Sequence, residues 1–547
     1  MISKRFIGKG IITVALALLS FNGESCTIIA VGKGASADGS VMISHTDCGA
    51  DCRIQVIPSE MYKKGALADV HWGIQDIHRP LDDMGDVLGT IPQAMRTYKY
   101  FHSAYPHMNE HQLAIAESTT SQRKEMMVDM EVCKQIMTVE QAQVFALQRC
   151  KKSKDAVKLI GELMSRYGFL PSCVGESETL VIGDTEEIWV IEIFSVGSDW
   201  DPESGNPGAV WVAQRIPDDH ALAVANWSII KEVDEKDKNN FMFSSNYKSY
   251  AIENGWYDPA GSKPFILQDV YCPTPREWAT NRLWLFYSTY APNYTDWPER
   301  NLEDGHMMGY NQYIQYVEPL SLYPVSVKVE KKITLQDVMA FQRSTFEGTI
   351  YDMTEDHDWY VPDGKGGMKK SPLATPFPSK DMRELLDINN RRMVARPMGY
   401  YGMIAQLRDW YPDPIGGIYW VFLDNAYTSP YVPIYAGTEK IAECYQNFDP
   451  TTYNRESAAW AIDFVDNLLY LKWQDMIKDV WAVRNPFEQR LFDEQDKIDK
   501  QALELYRKDP QKALEYLTSY TIKNMEEVLE MYNRLHDELI VKYTNSR

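Results

Sequence analysis

Two apolar runs joined by a short polar turn constrain this chain more than any other feature. Cys26-Thr27-Ile28-Ile29-Ala30-Val31 predicts a buried strand, and Val41-Met42-Ile43-Ser44-His45 predicts its return partner. Between them Ser36-Ala37-Asp38-Gly39-Ser40 carries the Asp-Gly pair that favours a tight hairpin turn. A hairpin of this length brings Asp47 back beside residue 26. The fold must therefore enclose a two-stranded unit headed by a cysteine, with a carboxylate across from it.

What precedes the hairpin gives the cysteine its meaning. Lys4, Arg5 and Lys9 lead into an apolar core, Ile11 to Leu19, which ends in Gly23-Glu24-Ser25. Small residues three places and one place before Cys26 fit a secretory leader cut after Ser25. The core is too short for a mature membrane span, and no other stretch is long and apolar enough. Cleavage would leave Cys26 as the first residue of an exported chain, periplasmic or extracellular. A terminal cysteine holds a nucleophile and, in its own α-amino group, a base with a reference pKa near ~7.7–8.0. Asp47 then stands where a carboxylate holds a terminal ammonium; the competing role is a strand-end turn residue. Cys26 has two other readings. It is a lipid-acylation site, although Glu24 fits that signal poorly, or it is a buried or disulfide-bonded structural residue.

Composition excludes several classes. The formal charge of −21 on 547 residues argues against nucleic acid as a partner. Eight cysteines are too few for a disulfide scaffold in a chain this long. Cys48 and Cys52 are spaced to close a small disulfide, while Cys133 and Cys150 fit buried thiols near helices. His107-Met108-Asn109-Glu110-His111 spells a zinc-peptidase motif, but Pro106 precedes it and the strand-like run Gln112–Ser118 follows. The helix that such a metal site needs is therefore not expected, and no metal is assigned. Gly364-Lys365-Gly366-Gly367 lacks the context of a phosphate loop.

Farther along, helices are expected over Val139–Cys150 and Ser153–Tyr167, where Leu159, Leu163 and Met164 share a face. Strands follow at Thr179–Ile182, Ile188–Phe194, Ala209–Gln214 and Ala221–Ala225, the last ending at Asn226. A helix from Pro275 to Tyr290 carries Arg276 and Arg282, and another is expected at Leu335–Phe346. Residues 355–381, rich in Pro, Gly, Asp and Lys, predict a long surface loop. Strands are expected at Ile415–Leu423 and Tyr431–Tyr435. From Arg455 the chain is mostly helical, with a stripe from Leu514 to Leu539 broken once at Thr521. Strand groups alternating with helix groups indicate layered α+β packing.

These residues resemble a known family. Cys26-Thr-Ile-Ile-Ala-Val-Gly-Lys-Gly-Ala-Ser-Ala-Asp-Gly-Ser40 is similar to the mature start of the dipeptidase A family of N-terminal-nucleophile (Ntn) cysteine hydrolases, relatives of conjugated bile acid hydrolase and penicillin V acylase. Further blocks follow in order: Met108–Ser118, Val224–Ile229, Phe241–Asn246, Glu347–Thr354 and Asp537–Tyr543. Together they cover essentially the whole mature chain.

The resemblance implies an α+β fold, the Ntn αββα sandwich, with a largely helical C-terminal elaboration. It implies residues 1–25 as signal peptide, 26–330 as catalytic core and 331–547 as a region packed on that core and helical at its end. It implies hydrolysis of the amide bond of small peptides, without metal or organic cofactor. Cys26 matches the nucleophile, Asp47 the carboxylate holding the amine, and Asn226 an oxyanion donor. Arg282 matches a later active-site arginine, with Arg276 as rival. Two departures stand out. The superfamily carries an arginine three places before the aspartate, where this chain has Ser44, with His45 next to it as a substitute. A second oxyanion asparagine is missing, and Glu117-Ser118-Thr119 occupies its stretch, so a backbone N–H or one of these hydroxyls is expected to serve. His45, Glu117, Ser118 and Thr119 are thus candidate substrate-binding residues.

Two alternatives remain. One is an N-acyl amide substrate of bile-acid or penicillin type on the same fold. The other is a lipid-anchored surface binding protein with acylated Cys26, for which fifteen Trp and thirty-three Tyr suit a binding surface. No stable membrane insertion is expected, and homo-oligomerisation is left open.

Overall fold

The computed structural model describes residues 26–47, 51–173, 175–273, 277–292, 323–349, 351–388, 390–397 and 400–544; for Asp47, Glu277 and Trp278 only the backbone is described. The expected leader at 1–25, Cys48 and Arg276 lie outside these residues.

The expected hairpin forms. Strand β1 (Ile28–Val31) pairs antiparallel with β2 (Val41–Asp47), with Ala30 opposite Ile43 and Val31 opposite Met42. A bridge between Thr27 and Thr46 continues the register toward positions 26 and 47. The turn closes on Asp38, whose Oδ1 accepts from the Ser40 N–H at 2.9 Å and from the hydroxyls of Ser36 and Ser40 at 2.6 Å each. Every residue of β1 is buried, as befits a strand covered on both faces.

The hairpin sits inside a seven-stranded sheet that draws on the whole chain. On one side β1 pairs with His220–Val224, which pairs in turn with Val327–Lys328. On the other, β2 pairs with Tyr401–Leu407, followed by Ile418–Leu423 and Val432–Tyr435. Strands from both sides of position 330 therefore share one sheet. An eight-stranded sheet includes Pro106–Asn109, Ala114–Thr120, Ser177–Gly183, Ile188–Phe194 and Val210–Ile216. The two sheets meet where a Cβ on Gly183 would come within 2.9 Å of Ile43, so only glycine permits that approach.

Helices cover both sheets. α1 (Val139–Arg149) and α2 (Ser153–Tyr167) pack on the eight-stranded sheet and close an apolar cluster containing Phe145, Ile160, Leu180 and Ile191. Helix Glu277–Tyr290 crosses strand His220–Val224, and Ala458–Leu468 and Pro510–Thr544 pack on the far edge of the seven-stranded sheet. The chain is thus α+β, with helices against both sheets. No helix among the described residues is long and apolar enough to cross a membrane.

Two local expectations are corrected. Thr521 does not interrupt the C-terminal stripe. It is fully buried, and its hydroxyl donates to the Pro433 carbonyl at 3.2 Å, which satisfies the polar atom inside an apolar face. Residues 355–381 are not a surface loop throughout. Tyr360–Pro362 and Met368–Lys370 form a small hairpin, and Trp359, Ala374 and Phe377 are buried because their apolar area packs on the core. The Cys48–Cys52 pairing lies outside the described residues; Cys52 itself is buried and in no disulfide among those described.

Candidate active site

Cys26 is buried at the head of the hairpin, and residues remote in sequence converge on it. Its Sγ donates to Glu117 Oε2 at 3.5 Å. Glu117 lies on strand Ala114–Thr120, so the contact joins the two sheets. The Glu117 carboxyl also takes a hydrogen bond from the Thr119 hydroxyl at 3.2 Å and shares one with the carboxyl of Glu178 on the neighbouring strand. Burial raises the Glu178 carboxyl above the usual carboxylate range. Ser172 donates to Glu178 Oε1 through its N–H at 2.9 Å and its hydroxyl at 2.6 Å.

Arg282 comes from the middle of helix Glu277–Tyr290 and is fully buried. One guanidinium nitrogen donates to the Cys26 carbonyl at 2.9 Å and to Thr27 Oγ1 at 2.7 Å. The other donates to the Ala225 carbonyl at 3.2 Å and to Asn226 Oδ1 at 3.0 Å. A planar fork of fixed donors suits this double bridge, which a lysine does not reproduce.

Asn226 has φ of +60°, the left-handed region that asparagine tolerates better than most residues. Three contacts hold it there. Its N–H donates to Ser118 Oγ at 3.1 Å, its Nδ2 donates to the Thr119 carbonyl at 2.9 Å, and Arg282 engages its Oδ1. Nδ2 carries a second hydrogen beyond the one given to Thr119. The segment that follows is pinned by buried Glu192, which accepts from Ser228 Oγ at 2.6 Å and from the N–H groups of Ile229 and Ile230 at 2.5 and 3.0 Å.

His45 projects from β2 into the same centre, fully buried, with Nε2 3.9 Å from Glu117 Oε2. Neither ring nitrogen makes a hydrogen bond of good geometry among the described residues, the Glu117 backbone being near enough only to favour the protonated ring slightly. Burial, and next the neighbouring His107, hold its pKa well below the ordinary histidine value, so it is neutral. The His107 ring packs on it at 5.0 Å between centroids and is itself fixed, Nδ1 3.2 Å from the Ile115 carbonyl and Nε2 2.9 Å from the Tyr401 hydroxyl.

The expected residues thus divide clearly. Cys26, His45, Glu117, Ser118, Thr119, Asn226 and Arg282 meet in one network. Asp47 is in β2, where the Thr27–Thr46 register leads, but its side chain lies outside the described residues. Of the hydroxyls considered as oxyanion donors, Thr119 gives its hydrogen to Glu117, whereas Ser118 accepts from the Asn226 N–H and keeps its own O–H to donate. Ser44 accepts the Ile29 N–H at 2.9 Å across the hairpin, so no cation stands there; the cation touching Cys26 is Arg282. The zinc spelling does not form a site. His107 lies in a strand and His111 in the turn after it, 3.1 Å from Asp413. Sequence reasoning missed Glu178 and Glu192. The available signal was a lone acid within an apolar strand, Thr179–Ile182 preceded by Glu178 and Ile188–Phe194 containing Glu192.

The profile described as Peptidase family C69 matches residues 25–485. A protein named probable dipeptidase B from Streptococcus pyogenes serotype M1 is 21% identical over 546 residues, covering 99% of this chain and 97% of its own. A probable dipeptidase from Latilactobacillus sakei is 21% identical over 80% of this chain and 79% of its own. A probable dipeptidase from Salmonella dublin is 23% identical over 76% and 81%, respectively.

Proposed function

The chain belongs to peptidase family C69, and from that premise we propose that it is an exported cysteine dipeptidase of the N-terminal-nucleophile type, with Cys26 as nucleophile. One observation carries the reading. Cys26, at the head of its hairpin, is held through its own carbonyl by the same arginine that orients Asn226.

In the proposed cycle, cleavage after Ser25 exposes the α-amino group of Cys26. That amine, directly or through a water, takes the Sγ proton, and Sγ attacks the scissile carbonyl carbon. The remaining Nδ2 hydrogen of Asn226 stabilises the oxyanion. The C–N bond breaks, the leaving amine departs with the proton, and a thioester remains on Cys26. Water then attacks the thioester, giving its proton to the same base and releasing the acid and the thiol. Asp47 holds the terminal ammonium between steps.

The Glu117–Glu178 carboxyl pair favours a substrate with a free α-ammonium over an N-acyl amide of bile-acid or penicillin type, which brings no positive charge to that spot. The layering of two sheets with helices outside supports the Ntn assignment.

The test combines three measurements on protein recovered from an exporting host. Intact mass and N-terminal sequencing are expected to give an unmodified Cys26 start. Hydrolysis is expected for dipeptides, not for glycine-conjugated acyl substrates. Cys26→Ala is expected to abolish turnover with the fold intact by circular dichroism. A lipid on Cys26, or retained turnover in Cys26→Ala, overturns the mechanism.

A further inference from the structure

We propose that Cys26, His45 and Glu117 form a three-ligand site for one thiophilic divalent cation, Zn²⁺ by preference, that inhibits the enzyme reversibly. Three observations point there. Donor atoms of the three residues all lie within 4.8 Å of one another and all three residues are buried. Sγ is 3.5 Å and His45 Nε2 3.9 Å from the same Glu117 oxygen. Zinc bonds of ~2.3 Å to sulfur and ~2.0–2.2 Å to nitrogen and oxygen at tetrahedral angles set donor separations of roughly 3.3–3.7 Å, so the thiol and carboxylate already stand at ligand spacing and the imidazole closes on them by a side-chain movement of up to about an ångström. The third observation is independent of spacing. His45 is fully buried, yet neither ring nitrogen makes a hydrogen bond of good geometry among the described residues, an arrangement that ordinarily calls for a missing ligand.

The donor set selects the ion. A thiolate, an imidazole and a carboxylate suit zinc and cadmium, whereas calcium and magnesium prefer oxygen alone. Binding releases the thiol proton to solvent and occupies the sulfur lone pair needed for attack. Three protein donors leave a fourth position for water. The cation is therefore an inhibitor here, not a cofactor, and a chelator restores turnover. The site is built from side chains and does not depend on cleavage after Ser25, so its success or failure is separable from that of the peptidase mechanism.

The test uses the full protein and two probes. Zn²⁺ is titrated against dipeptide turnover and then removed with a chelator. Cd²⁺ is titrated without substrate, reading the ultraviolet cadmium–thiolate band and the calorimetric stoichiometry. One cation per chain is expected, with inhibition that the chelator reverses. Cys26→Ser is expected to lose the band. His45→Asn is expected to weaken Cd²⁺ binding at least about tenfold. Glu117→Gln, nearly isosteric, provides the same comparison if the Asn variant does not fold. Cd²⁺ affinity unchanged in these variants would mean that the thiol alone binds metal, and would overturn the proposal, as would inhibition that no chelator reverses.

Discussion

Arg282 donates to the carbonyl of Cys26 at 2.9 Å across 256 residues of sequence. It thereby ties the candidate nucleophile to a helix on the outside of its sheet. Because the same guanidinium holds Asn226, the arginine acts as a positioning residue for both groups. Arg282→Lys is expected to lower kcat by about 10²-fold with a small change in KM, since Asn226 loses its orientation and the oxyanion its donor. Steady-state kinetics give the split. Thermal unfolding is expected to show a loss of about 1–3 kcal/mol for each buried acceptor left unsatisfied. A fall in stability with kcat intact would reduce Arg282 to a structural role.

Asn226→Ala removes the Nδ2 donor while Arg282 keeps its contacts to Cys26 and Thr27. The expected outcome is a loss of about 10²–10³ in kcat at nearly constant KM. A change confined to KM would assign Asn226 to substrate binding instead.

Glu117→Gln keeps the shape of the site and removes the carboxyl that the proposed α-ammonium would meet. With the α-ammonium of a dipeptide losing a buried ionic partner, KM is expected to rise roughly 10–100-fold, and more than kcat falls. An N-acetylated dipeptide is expected to lose its disadvantage against the free peptide in this variant. Equal discrimination in both proteins argues against Glu117 as the ammonium partner.

Stability should depend on the buried histidines below neutrality. His102 is 3% exposed, and burial pushes its pKa down to about 3, with His107 and Arg79 adding to the effect. Unfolded, it titrates near ~6.5. Between pH 7 and pH 5 the unfolded chain therefore takes up a proton that the native ring refuses, and stability falls as pH falls. The contribution is about 2 kcal/mol over that interval. Glu140 opposes it: burial raises its carboxyl to about 7, so its contribution is lost as pH rises through that value. His102→Phe isolates the first effect. Denaturant unfolding at the two pH values is expected to show a drop about 2 kcal/mol smaller in the variant than in the parent.

Much of the site was legible from local signals. Small residues before Cys26, as at the end of an expected leader, drew attention to it, the Asp-Gly turn set the span of the hairpin, and the stretch 117–119 stood out where an asparagine was expected. Glu178 was not legible as part of the site. It reaches Glu117 only because strands 114–120 and 177–183 pair in a register that sets Glu178 opposite Thr119. The Ser44 departure looked like a lost cation until the structure showed its hydroxyl on the Ile29 N–H and Arg282 at Cys26. Thr521 looked like a break because a hydroxyl is polar in isolation; the Pro433 carbonyl that accepts from it lies on a distant strand.

By itself the sequence determined most of the elements expected from it, where the first hairpin turns and which cysteine heads it, while the small hairpin within 355–381 and the short helix at Asp413–Gly416 escaped it. Those it did determine follow from turn chemistry and from periodicities of two and 3.6 residues, all of them local. Tertiary structure decided the chemistry at that cysteine. Glu117 comes from the second sheet, Arg282 from a covering helix and Asn226 from a left-handed turn after strand His220–Val224. Their meeting depends on strand register and on the close approach of the sheets at Gly183 and Ile43, where packing between distant segments sets the distances.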